Sequence, residues 1–357
     1  MTRIERLRKK FAKLYLDAML ITNEENIYYL TGFHLLQGDG VLLVTDNYAI
    51  IISDARYQTA LAAFDSDEVI ATISADYFGA VDKICQGMKI KVVGFEDSIS
   101  FADYDQLDDL MAADIVPQTN LVESMRAIKD AAEVEKIRQA AALQSAGFQY
   151  VLQTAHAGMS ERELANRLDF WMKDHGAQKA SFDTIVASGP NSAEPHATVS
   201  DRQMQEGDMV TLDFGYFYQG YTADMTRTFA LGKPDPQLKD IYAIVNAARQ
   251  EVIKAARPGV RGDQLDVVGR QLIDEAGFAD NFQHGMGHGI GLAIHELPSS
   301  YSPGRDDVRF ANNQVITVEP GIYLPGLGGV RIEDDIVITH QGAQVLTTAP
   351  TELQIID

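Results

Sequence analysis

Carboxylate and histidine side chains that could bind metal ions are concentrated in four segments in the second half of the chain. Asp213 lies in an apolar stretch, and Asp224 follows it after a tyrosine-rich turn. A hairpin folded about Tyr218-Gln219 is expected to place Asp213 opposite Asp224, although a bulge at Gly220 would shift this register by one residue. Two like charges in that arrangement destabilise a hairpin unless a counter-charge lies nearby, and a divalent cation provides one.

The second segment runs HGMGHGIGLAIHE from His284 to Glu296 and contains three of the eight histidines in the chain. Glycine occupies every second position from 285 to 291, and each glycine destabilises a helix by about 1 kcal/mol relative to alanine. The segment is therefore expected to be non-helical, unlike the helical HExxH zinc motif. A glycine-rich backbone permits close approach of a ligand, which makes His284, His288 and His295 candidate site residues.

The third and fourth segments are strands of β-branched residues, and each carries a glutamate. Glu319 follows Val-Ile-Thr-Val, and Glu333 follows Gly-Val-Arg-Ile. A hairpin about Gly326 is expected to bring Glu319 near Glu333. Because side chains alternate along a strand, Arg331 and Glu333 are expected on the same face. Buried glutamates are rare unless they are paired with a cation or bind a metal.

Together the four segments supply four carboxylates and three histidines. Oxygen ligands with limited nitrogen suit Mn²⁺, Co²⁺ or Zn²⁺ in an open catalytic site rather than in a closed thiolate site. Four negative charges balance two divalent cations, and two such cations can acidify a water and polarise a carbonyl. The residues therefore predict a hydrolytic centre with two metal ions.

This ordered series of ligands resembles the pita-bread metallopeptidases, in particular the Xaa-Pro aminopeptidases and the Xaa-Pro dipeptidases. The resemblance covers nearly the whole chain and rests on the strings DMTRT, HGMGHGIGLAIHE, VEPGIY and GGVRIEDD. It implies an α+β fold, with a C-terminal pita-bread catalytic domain and a smaller, creatinase-like N-terminal α/β domain. We expect the N-terminal domain over residues 1–124 and the catalytic domain over residues 125–357.

Carried over by position, the resemblance implies a set of metal ligands. The five ligands would be Asp213, Asp224, His288, Glu319 and Glu333. They would hold two divalent ions, for which Mn²⁺ is expected and Co²⁺ or Zn²⁺ are alternatives. Asp224 and Glu333 would bridge the two ions, and Glu319 would take a proton from the bridging water.

The resemblance also implies roles for residues around the metals. Expected catalytic residues are His196, His284, His295, Glu319 and Arg331. Expected substrate contacts are His196, His295, Tyr323 and Arg331. One departure concerns His196: relatives usually have Leu-Pro-His-Gly where this chain has Glu194-Pro195-His196-Ala197. The loop around this histidine is therefore expected to differ in shape.

The implied activity is hydrolysis of the Xaa-Pro bond at the N-terminus of peptides by a metal-bridging hydroxide. The alternative is an Xaa-Pro dipeptidase, because Arg331 could bind either the free carboxylate of a dipeptide or a carbonyl of a longer peptide. A methionine aminopeptidase would not need the N-terminal domain. A non-catalytic binding protein on this fold would not need all five ligands. The expected partners are short peptides with proline at the second position and a second copy of the chain in a homodimer.

Composition excludes several other classes of function. With 51 acidic against 30 basic residues, the formal net charge is −21, which repels the phosphate backbone of nucleic acids. Cys85 is the single cysteine, as expected in a reducing compartment. No long apolar run follows the basic start, so no signal peptide is expected, and no apolar run approaches the roughly 18 residues of a membrane span. A cytoplasmic location is therefore expected.

Helices and strands must position these residues, and the two halves of the chain differ in their patterns. In the N-terminal part, apolar spacing predicts a helix over 4–16, strands at Ala18–Ile21 and Val92–Phe95, and a hairpin about Asp46-Asn47. In the C-terminal part it predicts four helices, over 129–155, 160–175, 236–256 and 262–276. Strands with glycine and carboxylates separate and follow these helices, which is typical of an α+β domain.

Overall fold

The computed structural model describes residues 1–305 and 307–356. The chain divides into two compact units, Met1–Met125 and Arg126–Asp357. Each unit has its own sheets, helices and apolar core.

The first unit consists of helices and one six-stranded sheet. Its elements are α1 (Arg3–Leu14), β1 (Ala18–Ile21), α2 (Glu24–Thr31), β2 (Gly40–Thr45), β3 (Ala49–Ser53), α3 (Gln58–Ala62), β4 (Val69–Ile73), α4 (Tyr77–Met88), β5 (Val92–Glu96), α5 (Phe101–Leu110) and β6 (Asp114–Gln118), followed by the short α6 (Glu123–Arg126). The sheet has the order β4-β3-β2-β1-β5-β6. Strands β1 to β3 are antiparallel, and the outer pairs are parallel.

Local sequence signals account for the first elements of this unit. Helix α1 begins with a capping box, in which the Oγ1 atom of Thr2 accepts from the backbone N–H of Glu5. The apolar residues at helical spacing on α1, beginning with Ile4, are buried, so the predicted helix is confirmed. The predicted hairpin about Asp46-Asn47 is also confirmed, since β2 pairs with β3 across it.

The second unit contains the four long helices that the sequence predicts. They are α7 (Ala131–Thr154), α8 (Glu161–Asp174), α9 (Pro236–Ala255) and α10 (Gly262–Glu275). The strands are β7 (Ile185–Ser188), β8 (Met209–Tyr218), β9 (Tyr221–Leu231), β10 (Gly287–Gly289), β11 (Glu296–Tyr301), β12 (Val315–Val318), β13 (Gly321–Leu324), β14 (Gly328–Arg331), β15 (Asp334–Thr339), β16 (Gly342–Val345) and β17 (Ile355–Ile356).

These strands form three sheets that the helices cover. The sheets have the orders β17-β9-β8-β7, β11-β10-β12-β15-β16 and β13-β14. Apolar side chains of α7 and α8 pack on β8 and β9, where Phe214 and Phe229 are buried. Apolar side chains of α9 and α10 pack on β12, β14 and β15. Because side chains alternate along a strand, the faces of β8 and β9 that turn away from α7 and α8 carry Asp213 and Asp224.

Candidate active site

Asp213 and Asp224 lie on the neighbouring strands β8 and β9, but they do not face each other directly. Asp213 pairs with Thr226, so Asp224 lies at a diagonal position. The tight turn is at Gln219-Gly220, which have φ values of 51° and 80°. The register predicted about Tyr218-Gln219 is therefore wrong by two residues. Because side chains alternate with a period of two, both carboxylates still lie on the same face of the sheet.

Glu319 and Glu333 lie at a break within one long hairpin. On either side of the break β12 pairs with β15 and β13 with β14 in the same register, about a turn at Gly326 with φ 84°. The predicted hairpin is thus confirmed. At the break, the Glu319 N–H donates to the Met286 carbonyl at 2.9 Å, and the Glu333 N–H donates to the Thr226 carbonyl at 3.0 Å. Both glutamates are thereby held beside other strands of the site.

His288 lies in the short strand β10, and the glycine-rich segment is non-helical as predicted. Its Nδ1 atom lies 3.0 Å from the Gly289 carbonyl, which can only accept, so Nδ1 carries a proton and Nε2 is the ring nitrogen that could bind a metal. Nε2 lies 3.7 Å from Oδ2 of Asp224 and 3.8 Å from Oε1 of Glu319. A side chain at Gly287 would place its Cβ 2.2 Å from a backbone oxygen of β12, so only glycine fits there.

Three of the carboxylates have a buried oxygen atom that accepts no hydrogen bond from the described residues: Oδ1 of Asp213, Oδ1 of Asp224 and Oε1 of Glu333. Ligand atoms of Asp224, His288 and Glu333 all lie within 4.8 Å of one another. A buried oxygen without a donor is costly, and a cation bound among these atoms would satisfy them. The donor set therefore fits divalent metal ions.

The electrostatics of these carboxylates lead to the same conclusion. Burial, together with repulsion from neighbouring carboxylates, raises the pKa of Asp224 and that of Glu333 well above the ordinary range. Burial also raises the pKa of Glu319, although the charges of His288 and Arg331 oppose this effect. A bound cation would favour the charged forms and so offset both burial and repulsion.

A cavity of about 360 Å³ opens at these carboxylates. Nine of the ten predicted site residues line it: Asp213, Asp224, His288, Glu319, Glu333, His196, His284, His295 and Arg331. Apolar side chains, including Phe182 and Ile185, form part of the wall. His196 and His295 are exposed to solvent at the cavity. The tenth predicted residue, Tyr323, is not among those that line it.

The guanidinium of Arg331 is buried, and four of its five N–H groups have partners within the protein. Nη2 donates to Oδ2 of Asp213 at 2.6 Å, and Nε donates to Oγ1 of Thr226 at 3.1 Å. Nη1 donates to the Pro195 carbonyl at 3.1 Å and to the Tyr323 hydroxyl at 2.8 Å. The one remaining N–H cannot grip a carboxylate in the bidentate manner typical of arginine.

Tyr323 lies behind the cavity wall, where it joins Arg331 to His284. Its hydroxyl accepts from Arg331 and donates to Nε2 of His284 at 2.9 Å. Nδ1 of His284 donates to the Gly285 carbonyl at 2.8 Å. Burial, and then the charge of Arg331, lowers the pKa of His284 to about 3. His284 is therefore neutral, and both of its ring nitrogens form hydrogen bonds within the protein.

Comparison with known families gives this geometry a context. Residues 135–340 match the model of metallopeptidase family M24, and residues 3–128 match the creatinase/prolidase N-terminal domain. The chain belongs to metallopeptidase family M24.

Relatives of this M24 chain match it along its whole length. An uncharacterised Bacillus subtilis peptidase, YqhT, is 39% identical, and the match covers 99% of this chain and 100% of that protein. The structure of an Xaa-Pro dipeptidase from Bacillus anthracis superposes with a TM-score of 0.93 at 39% identity and 99% coverage of both chains. The structure of an X-Pro aminopeptidase from Thermotoga maritima superposes with a TM-score of 0.90 at 36% identity, covering 99% of this chain and 100% of that one.

These matches confirm the predicted family, the α+β pita-bread fold with its creatinase-like N-terminal domain, and the assignment as a peptidase. Membership in a metallopeptidase family implies divalent metal ions, which the donor set fits. Within the described part of the chain, no helix combines the length and apolar character needed to cross a bilayer.

Several residues of the M24 site had no role assigned from the sequence. The Thr226 hydroxyl donates to Oε2 of Glu333 at 2.6 Å and also accepts from Arg331. Oδ2 of Asp335 accepts from the backbone N–H of Asp224 at 2.9 Å, and burial raises the pKa of Asp335 to about 7. Both residues lie in the strings DMTRT and GGVRIEDD. Each lies two positions after a predicted ligand, Asp224 or Glu333, and this spacing was the available signal.

Glu296, next to His295, is the third residue without an assigned role. It is buried and forms ion pairs with Arg126 at 2.5 Å and Lys129 at 2.9 Å. Its Oε1 atom also accepts from the backbone N–H groups of Leu292 and Ala293. Glu296 thus fixes the turn that leads from the glycine-rich segment to His295.

Proposed function

We propose that this M24 peptidase is an Xaa-Pro aminopeptidase, which releases the first residue from peptides with proline at the second position. One observation carries the preference over a dipeptidase. Among the residues that line the cavity, Arg331 is the only lysine or arginine, and its guanidinium is committed to Asp213, Thr226, Pro195 and Tyr323. Among the described residues that line the cavity, no lysine or arginine side chain therefore remains free to hold the carboxylate of a dipeptide.

Two divalent metal ions, proposed to be Mn²⁺ with Co²⁺ or Zn²⁺ as alternatives, would be held by the five ligands Asp213, Asp224, His288, Glu319 and Glu333. Asp224 and Glu333 are the proposed bridging ligands, because a ligand atom of each lies within 4.8 Å of the other and of His288. When bound, the ions supply an acidified water and polarise the scissile carbonyl.

Other side chains of the cavity position the peptide and move protons. Glu319 is proposed to accept the proton of the attacking water, since it lines the cavity beside His288. His196 and His295 are exposed in the cavity and are proposed to contact the peptide. Arg331, Tyr323 and His284 act instead as a linked support for Asp213 and the Pro195 carbonyl.

The proposed substrate explains why such a site is useful. The bond before proline is a tertiary amide, and proline has no backbone N–H for a general peptidase to bind. A cavity that recognises the free N-terminus and the carbonyl does not need that N–H. The acidic ligands and the apolar wall at Phe182 and Ile185 suit an N-terminal ammonium group and a proline ring, respectively.

An Xaa-Pro dipeptidase is the second candidate, and a specific observation favours it. The B. anthracis protein named for that activity resembles this chain as closely as YqhT does, at 39% identity. A binding protein without catalysis is less well supported, because all five ligand positions are present and converge. We also propose that the chain forms a homodimer, which sedimentation analysis would test.

The test compares three substrates with the Mn²⁺-loaded protein: Ala-Pro-Ala, Ala-Pro and Ala-Pro-amide. Release of alanine is measured by chromatography. An aminopeptidase cleaves both the tripeptide and the amide, because it does not need to bind a carboxylate on the proline residue. A dipeptidase cleaves Ala-Pro, loses activity on the amide and does not cleave the tripeptide, which would overturn the proposal. Failure to cleave any of the three with Mn²⁺ bound would exclude both peptidase assignments.

A further inference from the structure

Glu161, in the first turn of α8, is buried, and donors surround its carboxylate. Oε1 accepts from the backbone N–H and the hydroxyl of Ser188, at 2.8 and 2.7 Å, and from Nδ2 of Asn191 at 3.0 Å. Oε2 accepts from the backbone N–H and the hydroxyl of Ser200, at 3.1 and 2.5 Å. All five donors are neutral, and all belong to the stretch 188–200.

The stretch 188–200 is the loop that carries His196 into the cavity. It begins where β7 ends at Ser188, and Pro195 and His196 at its centre line the cavity. It returns to α8 at Ser200. Glu161 therefore joins the two ends of this loop, and a loop closed at its base has fewer conformations available to the residues between.

Two further contacts hold the middle of the loop. The Ser192 hydroxyl accepts from the backbone N–H of Gly329 at 2.8 Å, and the Pro195 carbonyl accepts from Arg331 at 3.1 Å. Both partners lie on β14, which leads directly to Glu333. The loop is thus fixed to the metal-ligand strands at its centre and to α8 at its base.

We propose that Glu161 is a positioning residue that sets the place of His196 relative to the metal ligands. This inference rests on the proposed function only for its kinetic test. A carboxylate is required, because every partner of Glu161 donates a hydrogen bond. A glutamine would turn its NH₂ group toward the donors of either Ser188 or Ser200, and one buried backbone N–H would lose its acceptor.

The test is a double-mutant cycle of Glu161→Gln and His196→Ala, with Glu163→Gln as the matched control. Glu163 lies in the same helical turn but is exposed, and it pairs with Arg167 on the surface. With Ala-Pro-Ala and Mn²⁺, E161Q is expected to lower kcat/KM by about 10- to 100-fold, the range typical of a misplaced contact. In the H196A background the same change is expected to lower kcat/KM by less than about twofold, because the effects of two residues that act as a unit are not additive.

Two measurements separate positioning from general damage. Mn²⁺ affinity, measured by titration calorimetry, is expected to stay within about twofold of wild type, since Glu161 contacts no ligand. The NMR signals of the His196 ring, assigned with H196A, are expected to shift or broaden in E161Q and to match wild type in E163Q.

The NMR comparison does not depend on activity, so it still decides the inference if no Xaa-Pro substrate is cleaved. Wild-type activity in E161Q, an additive loss in the double mutant, or unchanged His196 signals would overturn the proposal. If E161Q does not fold, Ser200→Ala removes one of the five hydrogen bonds and takes its place in the cycle. S200A is then expected to lower kcat/KM by a smaller factor, and this effect should again disappear in the H196A background. An additive effect of the two substitutions would overturn the proposal.

Discussion

Nη2 of Arg331 lies 2.6 Å from Oδ2 of Asp213, so the one guanidinium that lines the cavity is bound to a candidate metal ligand. The other oxygen of this carboxylate, Oδ1, is buried and accepts no hydrogen bond from the described residues. One oxygen of Asp213 thus accepts a hydrogen bond from Arg331, and the other is available to bind a cation. Arg331 orients the ligand without occupying its coordinating atom.

Arg331→Lys is expected to lower kcat and to weaken Mn²⁺ binding. A lysine ammonium has three N–H donors on one nitrogen at the end of a flexible stem, so it cannot reproduce the four hydrogen bonds that the planar guanidinium of Arg331 donates. Loss of a residue that orients a metal ligand typically costs about 10- to 100-fold in affinity or activity. Steady-state kinetics and calorimetric Mn²⁺ titration measure the two effects.

The substrate dependence of that variant distinguishes support from substrate binding. If Arg331 orients Asp213, activity falls by the same factor on Ala-Pro-Ala and on Ala-Pro-amide, and Mn²⁺ binding weakens with it. An increase in KM for carboxylate-bearing substrates alone, with normal Mn²⁺ binding, would mean that Arg331 clamps the substrate. Arg167→Lys, on the surface of α8, is the control and is expected to behave as wild type.

Tyr323→Phe tests the link between Arg331 and His284. The change removes the hydroxyl that accepts from Arg331 and leaves a buried N–H without its partner, at a cost of about 1–3 kcal/mol of stability. Activity is expected to fall about tenfold through kcat, because the linked support is loosened. Thermal unfolding and kinetics on Ala-Pro-Ala provide the readouts. An effect confined to KM would indicate that Tyr323 contacts the proline ring after all.

The sequence predicted nine of the residues that line the cavity, because the residue types that can bind a metal or a substrate are recognised locally. Glu319 follows Val-Ile-Thr-Val and Glu333 follows Gly-Val-Arg-Ile, and a symmetric hairpin about Gly326 sufficed to bring them together. The predicted pairing of Asp213 with Asp224 was wrong because it depended on which two residues form the turn. Gln219 adopts a positive φ there, which is uncommon for a residue other than glycine.

The supporting contacts could not be predicted, because they join residues far apart in the sequence. Glu161 meets Ser200 across 39 positions, and Arg331 meets Asp213 across 118. No periodicity in the sequence pairs such residues. Their partners follow only from the way the strands and helices pack. The same holds for Tyr323, whose hydrogen bonds to Arg331 and His284 behind the cavity wall could not be predicted from the residues around it.

Removal of metal is expected to abolish activity and to lower the melting temperature. Without a cation, the buried carboxylates repel one another or must take up protons. A ligand at 100 times its dissociation constant stabilises the folded protein by about 2.7 kcal/mol. Dialysis against EDTA followed by addition of Mn²⁺, monitored by calorimetric melting and by activity, measures the loss and its recovery.

Asp224→Asn is the matched variant for this experiment, because it keeps the shape of the side chain and removes one of the crowded charges. It is expected to be inactive, as is Asp224→Ala. Its metal-free form is expected to melt at or above the temperature of the metal-free wild type, with little further rise on addition of Mn²⁺. Full activity in either variant would refute the proposed metal site.

The buried ion cluster around Glu296 predicts a pH dependence of stability. Burial alone would raise the pKa of Glu296, but the charges of Lys129 and Arg126 outweigh it and lower this pKa from 4.5 to about 2. Since the folded-state pKa is the lower one, the contribution of Glu296 to stability is complete above about pH 4.5. It is lost progressively as the pH falls from there toward 2.

Glu296→Gln should remove this dependence and weaken the fold at neutral pH. The change removes the carboxylate charge that Arg126 and Lys129 share, and breaking a buried ion pair costs about 3–5 kcal/mol. Denaturant unfolding between pH 7 and pH 3 measures both effects, with Glu163→Gln as the exposed control. The wild type and the control should lose stability with the same slope on acidification, while E296Q shows a shallower one. Parallel slopes for all three proteins would mean that Glu296 is not the group whose protonation weakens the fold.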